Sequence, residues 1–386
     1  MRLNEYQTKQ LYMRYGIPVP RGRVASSSRE VQQITEELGG QVVIKAQVLV
    51  HGRGKLGGIQ VARSTQEAEK RSMQILGMLL HNSPVDKVLV DELISFDVQY
   101  YISIAIDQTA GQPRLTAYTL VNINNGNGVS QNDPFEFLID PLFGLLEFQI
   151  RDIALHLDLP REHWTQFKQA VQGLWNVYWE CDALKVESNP LVISNDNGLI
   201  VLDGEVELDD KALFRHLELA EMRDLISEDS IQKEARKYGF NFVPLNGNIG
   251  TVSNGAGLAM ATVDTIQLFG GHPANYLDTG PCHTPGLATL AFKLALNVPD
   301  VSILFVNIFG GISNCLQVAQ DLIQVIDEME PVTPIVLRLS GEGAEEAQLL
   351  LSTINVEVFN NFEKAIRHVI KKANMISEAG NYERVH

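Results

Sequence analysis

The sequence predicts an α/β protein in two parts, the second of them a doubly wound parallel sheet. Three observations carry this. From about residue 238 onward, β-rich stretches alternate strictly with helical periodicities. Stretches such as VSILFVNIF at 301–309 are apolar almost throughout, as strands covered on both faces must be. Before residue 225 the pattern differs, because strands there follow one another through Asn/Asp/Gly turns. With 386 residues and 45% apolar content, the chain can build two or three cores.

The elements follow in order. Leu3, Tyr6, Leu11, Tyr12 and Tyr15 lie near helical spacing, and Gly16 is a natural stop, so the chain opens on an amphipathic helix. A Pro-punctuated extended piece and a Ser-rich cap then lead to a helix ending at Gly39 and Gly40. Residues 41–50 (QVVIKAQVLV) read as a strand, and HGRGKLGG as a Gly-rich loop. VDKVLVDELI, QYYISIAID and PRLTAYTLVNI read as further strands, followed by the turn-rich NNGNGVSQNDP. Trp164, Phe167, Val171, Leu174, Trp175 and Tyr178 form one helical stripe that faces a core. Residues 182–210 read as a strand, a turn and a strand, a hairpin with acids at both ends. In the second part, residues 276–296 (YLDTGPCHTPGLATLAFKLAL) read as a loop and an apolar helix. The boundary between the parts is expected at 225–240, which gives domains of 1–235 and 236–386.

Composition narrows the function. A net charge of -16 argues against binding nucleic-acid backbones or anionic membrane surfaces. Three cysteines (Cys181, Cys282 and Cys315) without paired spacing fit reduced thiols rather than a disulfide framework. The first residues lack the apolar core of a signal peptide, and no apolar run approaches 18 residues. A cytoplasmic location is expected.

Four groups of residues carry chemistry. Lys45 ends an apolar strand and is followed by a glycine loop with Arg53 and Lys55, a pattern that brings backbone amides and cations to phosphate oxygens. An ordinary Gly/Lys-rich turn has the same local composition. Glu187, Asn189 and Asp203 offer oxygen ligands on adjacent strands, as Mg²⁺ requires, although solvated acids at a turn look alike. Asn254-Gly-Ala-Gly and NIFGGIS fall at carboxyl ends of parallel strands, where open α/β sheets hold ligands. Cys282-His283 has too few neighbours for zinc, and adjacent side chains seldom form a nucleophile and base. Lying before an apolar helix, the pair reads as part of an anion-binding helix start or as a capped surface turn.

The motifs LNEYQTKQL, VVIKAQV, GRGK, ESNPLV, VLDG, ALFR, NGNIG, NGAGLAMAT and VNIFGGI occur in this order. Together they resemble the β subunit of succinyl-CoA synthetase of the ADP-forming type, over essentially the whole chain. The resemblance implies an ATP-grasp amino-terminal region and a flavodoxin-like carboxy-terminal ligase domain. It implies an α-subunit partner, as a heterodimer or α2β2, that binds most of the CoA and carries a phosphorylated histidine. It implies ATP/ADP as substrate and Mg²⁺ as cofactor, with a dicarboxylate joined to CoA reversibly through an acyl phosphate. On this basis Lys45, Gly52, Arg53, Gly54, Asp91, Ile94 and Gln99 belong to the nucleotide site. Asn189 and Asp203 belong to the metal, and Asn254, Gly311, Ile312 and Ser313 to the acid. Gly280, His283 and Thr284 face the phosphohistidine. Pro20 matches adenine-using members.

Departures from the family pattern gather at these places. GPCHT replaces GGGAT; Asp91 and Gln99 stand for glutamates, and Glu205 for a lysine. Asn127 and Gln131 lie in an altered middle motif, LDGN is LNGN, and Asn314 and Leu316 replace Arg and Asp. The expected function is a succinate–CoA ligase β subunit. The alternatives are malate or citrate as the acid, with Ser313 and Asn314 meeting a hydroxyl, and a non-catalytic regulatory paralogue. A stand-alone carboxylate–amine ligase fits the second half poorly.

Overall fold

The computed structural model describes residues 1–50, 52–81, 83–121, 129–130, 133–195, 198–223, 230–280, 286–311, 313–354 and 356–383. The chain divides into two compact units, Met1–Ser227 and Glu228–His386. The helix Ser230–Lys237 goes with the second because Ala235 packs into its core beside Phe240 and Ala288. The division between the units falls before that helix.

Among the described residues the first unit holds two main antiparallel sheets and a short two-stranded one, Leu79–Leu80 with Ser83–Pro84. The smaller has the order Gly22–Ala25, Val88–Glu92, Val42–Ala46, Ile59–Ala62. Helices Ser28–Glu37 and Thr65–Ile75 join its core through Val31, Ile34, Ala68 and Ile75. Ser27 and Ser64 cap these helices by accepting from Glu30 N and Glu67 N. The larger sheet runs Phe135–Leu138, Gln112–Val121, Phe96–Asp107, Ala183–Ser194, Gly198–Val201. Helices Glu5–Arg14 and Trp164–Glu180 bury Tyr12, Phe167, Val171 and Leu174 in its core.

The expected hairpin at 182–210 is instead three strands. Gly198–Val201 pairs with one end of Ala183–Ser194, and Gly204–Leu208 pairs with the other. The returning arm breaks at Leu202 and Asp203, so Asp203 projects where a continuous strand would hide it. Opposite this break the Asn189–Pro190 peptide is cis.

The second unit is a six-stranded sheet in the order Asn241–Pro244, Asn275–Asp278, Ile249–Ser253, Ile303–Gly310, Ile335–Gly341, Glu357–Phe359. All pairs are parallel except the first, an antiparallel edge. Helices Ala256–Leu268 and Phe362–Glu383 contribute Ile266, Ile366 and Val369 to one face. Leu287–Leu296, Cys315–Met329 and Ala344–Leu351 cover the other. Double winding is thus observed. Two strands escaped the sequence reading. Asn241–Pro244 is largely exposed, and residues 275–278, read partly as loop, form a buried strand.

Candidate functional sites

In the first unit the glycine loop connects Val42–Ala46 to its antiparallel neighbour Ile59–Ala62. The loop closes on itself: Gly58 N donates to Arg53 O (2.8 Å) and Lys55 N to Gly52 O (3.0 Å). Gly52 has φ of 72°, a left-handed conformation that glycine adopts without strain. Arg53 is fixed by donation from Nη1 to Ala46 O at 3.0 Å.

Beside this loop lies a cavity of about 690 Å³. Its walls include Gly52, Arg53, Gly54 and Lys55 on one side and Glu187, Asn189, Asp203 and Glu205 on the other, with Arg2 and Glu5 from the amino terminus. Beneath the wall sits a buried ionic cluster. Glu5 Oε1 lies 2.6 Å from Lys45 Nζ and 2.9 Å from Lys9 Nζ, while Oε2 pairs with Arg53. Lys9 and Lys45 also meet Asp91 Oδ2 at 2.5 and 3.1 Å. Arg53 Nη2 reaches Asp203 Oδ2 at 3.1 Å, and Lys45 donates to Leu202 O at 2.8 Å. Three cations therefore balance three anions. Burial alone would raise the Glu5 pKa, but Lys45, Lys9 and Arg53 hold its carboxyl well below the usual range. Burial would lower the Lys45 pKa, but Glu5, Asp91 and Asp203 drive it upward, so it stays charged. Burial and the neighbouring Glu5 push Asp203 up, against Arg53, Lys45 and Lys9.

Asn189 N donates to Asp203 O at 2.9 Å, which brings the two residues together at the strand break. Asn189 Nδ2 donates to Glu187 Oε1 at 3.1 Å, leaving its amide oxygen available to a cation. One carboxylate and one amide oxygen on a cavity wall suit Mg²⁺, which fills its remaining positions with water and phosphate oxygens. Among the described residues no set of three His, Cys, Asp or Glu side chains forms a fuller metal site.

Not every residue expected at the nucleotide lies on the wall. Asp91 is 2% exposed and pressed against Gly22, where a Cβ would stand 2.2 Å from its Oδ1. It acts on the cavity only by holding Lys9 and Lys45. Ile94 is half-buried in the link between Val88–Glu92 and Phe96–Asp107, and Gln99 sits in register between Leu120 and Val192. Pro20 is buried just before the Gly22–Ala25 strand. Glu5 and Lys9, which the sequence reading left unassigned, are the cluster's hub. Their signal was an acid and a base four residues apart, on the side of the helix that also carries Tyr12.

In the second unit Asn254 follows Ile249–Ser253, and Gly311 and Ser313 follow Ile303–Gly310. These strands are neighbours, and chain order reverses between them, so their carboxyl ends form the sheet's switch point. A cavity of about 620 Å³ opens here, lined by residues 254–258, Ala261, Phe309 and Gly311. Ala256, Gly257 and Leu258 present first-turn amides, which have no acceptor within their own helix. Asn254 ties the two strand ends together. Its Oδ1 accepts from Phe309 N (2.9 Å), and its Nδ2 donates to Phe309 O (2.9 Å) and Ser313 Oγ (3.1 Å). Asp278 Oδ1 accepts from both Gly255 N and Gly280 N at 2.7 Å. The sequence reading gave this buried acid no role.

Ser313 is 2% exposed and bonded to Asn254, and Asn314 caps the next helix by accepting from Leu316 N (2.8 Å). Ser313 is thereby tied into the fold, whereas the Asn314 side chain is exposed and gives only its oxygen to the cap. His283, Thr284 and Cys282 in the 281–285 segment, Ile312, and Asn127 and Gln131 lie outside the described residues.

A phosphate-type loop over one sheet and a switch-point cavity in another define a two-part ligase: a nucleotide-grasping region joined to an acyl-CoA-forming domain. Comparison with known proteins agrees. The ATP-grasp domain family matches residues 2–193, and the CoA-ligase family matches residues 252–370. The β subunit of succinate–CoA ligase [ADP-forming] from Aquifex aeolicus is 38% identical over 97% of this chain and 99% of its own. That from Ralstonia pickettii is 40% identical over 91% and 93%. The GDP-forming enzyme's β subunit from Thermus thermophilus is 38% identical over 96% and 98%. The chain belongs to the succinate–CoA ligase β-subunit family. Its fold resembles that of ATP citrate lyase from Methanothrix soehngenii, solved with citrate and coenzyme A (TM-score 0.71, 16% identity, 96% and 99% covered). Among the described residues no helix is long and apolar enough to cross a membrane.

Proposed function

We propose that this chain is the nucleotide- and acid-handling β subunit of a succinate–CoA ligase, working with an α-type subunit that carries the phosphorylated histidine and most of the CoA site. The observation that carries the reading is the 690 Å³ cavity. It sets the Gly52–Lys55 loop opposite Asn189 and Asp203, so phosphate-binding and metal-binding groups face one space.

Within that space Arg53 and the loop amides bind polyphosphate oxygens, while Lys45 adds positive field from below. Asn189 and Asp203 would hold Mg²⁺, which would supply positive charge to the polyphosphate. At the second cavity the first-turn amides of Ala256, Gly257 and Leu258 receive a carboxylate of the acid. The small lining residues Gly255, Ala256, Gly257 and Gly311 offer no side-chain partner for a hydroxyl, which favours succinate over malate or citrate. ATP is the preferred nucleotide on the strength of Pro20. In the forward direction the nucleotide loses its terminal phosphoryl group to the histidine. The acid then takes it as an acyl phosphate, and the CoA thiol displaces phosphate to give the thioester.

The test is a coupled assay. The chain is co-expressed with the α-type subunit from the same source and supplied with ATP, Mg²⁺, CoA and each acid in turn. ADP release matched by thioester formation with succinate is expected. A stable complex that forms no thioester with any acid, and no phosphohistidine, overturns the reading in favour of a regulatory paralogue.

A further inference from the structure

Arg2 lines the first cavity but has no role in the chemistry described so far. Residues 1–3 run along Gly204–Leu208: Leu3 N donates to Val206 O (3.0 Å), Leu208 N to Met1 O (2.7 Å), and Arg2 bridges antiparallel to Glu207. Arg2 and Glu205 thereby share a sheet face on a diagonal, and Arg2 Nη2 meets Glu205 Oε1 at 2.9 Å. Glu205 stands directly opposite Glu187, a pairing of like charges. Lys185 relieves it, contacting Glu187 and lying 3.7 Å from Glu205. Lys185 alone leaves one negative charge of this pair uncompensated, and Arg2 supplies the second cation.

Its guanidinium is also under-used. It carries five N–H donors, and Nε, buried in the protein, has no hydrogen-bond partner among the described residues. Nε is closed off from the cavity, so only the outer end of the guanidinium can meet a ligand, and its planar fork suits phosphate oxygens. The side chain is 29% exposed and lines the same cavity as Arg53, Asn189 and Asp203. We propose that Arg2 is a phosphate-binding residue of the nucleotide site, oriented by Glu205 so that the outer end of its guanidinium meets the polyphosphate. The proposal rests on the nucleotide reading of this cavity.

The test is calorimetric titration of the purified full chain with MgATP and, separately, with AMP. Wild type binding MgATP establishes the nucleotide site; no binding overturns both readings together. Arg2→Gln is expected to weaken MgATP roughly ten- to a hundred-fold, the loss of a charged hydrogen bond, while AMP binding stays unchanged. Arg2→Lys keeps the pairing with Glu205 but loses the fork, and should weaken MgATP severalfold with AMP again unaffected. The double variant Arg2→Gln/Glu205→Gln separates phosphate contact from charge relief and should remain weak for MgATP. Wild-type MgATP affinity in Arg2→Gln, equal losses with AMP, or full recovery in the double variant would each overturn the proposal while leaving the nucleotide site intact.

Discussion

Glu5→Gln preserves shape and removes one charge from the buried cluster. Its carboxylate faces Lys45 at 2.6 Å, Lys9 at 2.9 Å and Arg53. Without it three cations face only Asp91 and Asp203, and one buried positive charge is uncompensated. Removing one partner of a buried pair costs about 3–5 kcal/mol. Asp203 is 32% exposed, so solvent relaxes part of the imbalance and the lower figure of about 3 kcal/mol applies. For a unit spanning Met1–Ser227, about 2–4 °C per kcal/mol gives a fall of roughly 6–12 °C in its Tm. Scanning calorimetry at pH 7 measures it. The pH dependence has a definite sign. The Glu5 carboxyl is held below its ordinary value in the folded chain. Its contribution is therefore complete above the unfolded carboxylate value, about 4.3, and is lost as pH falls through the folded one. The wild-type advantage over Glu5→Gln should narrow on acidification below about pH 4. A Tm within about 2 °C of wild type at pH 7, or a gap that widens in acid, would refute the reasoning.

Three further outcomes follow from the geometry. Asp203→Asn should raise the Mg²⁺ concentration for half-maximal MgATP binding about tenfold or more, read by titration at fixed nucleotide; an unchanged midpoint removes Asp203 from the metal site. Asn254→Ala deletes the bonds to Phe309 N, Phe309 O and Ser313 Oγ, and should destabilise the second unit by about 2–4 kcal/mol in urea. It should also raise KM for the acid, and a melt and KM both like wild type would contradict the bridging role. Gly341→Ala places a Cβ 2.2 Å from Gly310 O at φ of 100°, and should cost about 2 kcal/mol or more. A Tm equal to wild type would show that the strand ends yield to the methyl group.

The second sheet was legible because burial on both faces leaves its mark in sequence. Residues 303–308 are buried without interruption and all apolar but Asn307, which donates to Thr262 Oγ1 at 2.8 Å. Asn241–Pro244 was not legible, because a mostly exposed edge strand ending in proline has the composition of a loop. The glycine loop drew attention to Arg53, although an ordinary Gly/Lys-rich turn has the same local composition. Glu5 and Lys9 gave no such sign. A helix with acid and base four residues apart usually presents them to water, and only the tertiary neighbours Asp91 and Lys45 show that this pair faces inward. Ser313 and Asn314 show the converse. Polar residues beside a predicted ligand site suggested contact with the acid, but strand ends and helix starts also need polar partners, and here they take the Ser313 hydroxyl and the Asn314 amide oxygen.

Asp278 closes one further connection. A single carboxylate oxygen holds Gly255, at the mouth of the switch-point cavity, and Gly280, at the threshold of the 281–285 segment. One acceptor serving two backbone donors makes a shared hinge pin. Any displacement of the Gly255 amide by an arriving carboxylate alters the tether on Gly280. Gly255 and Gly280 are therefore not independent positions, and a backbone change at one should be answered by an adjustment at the other.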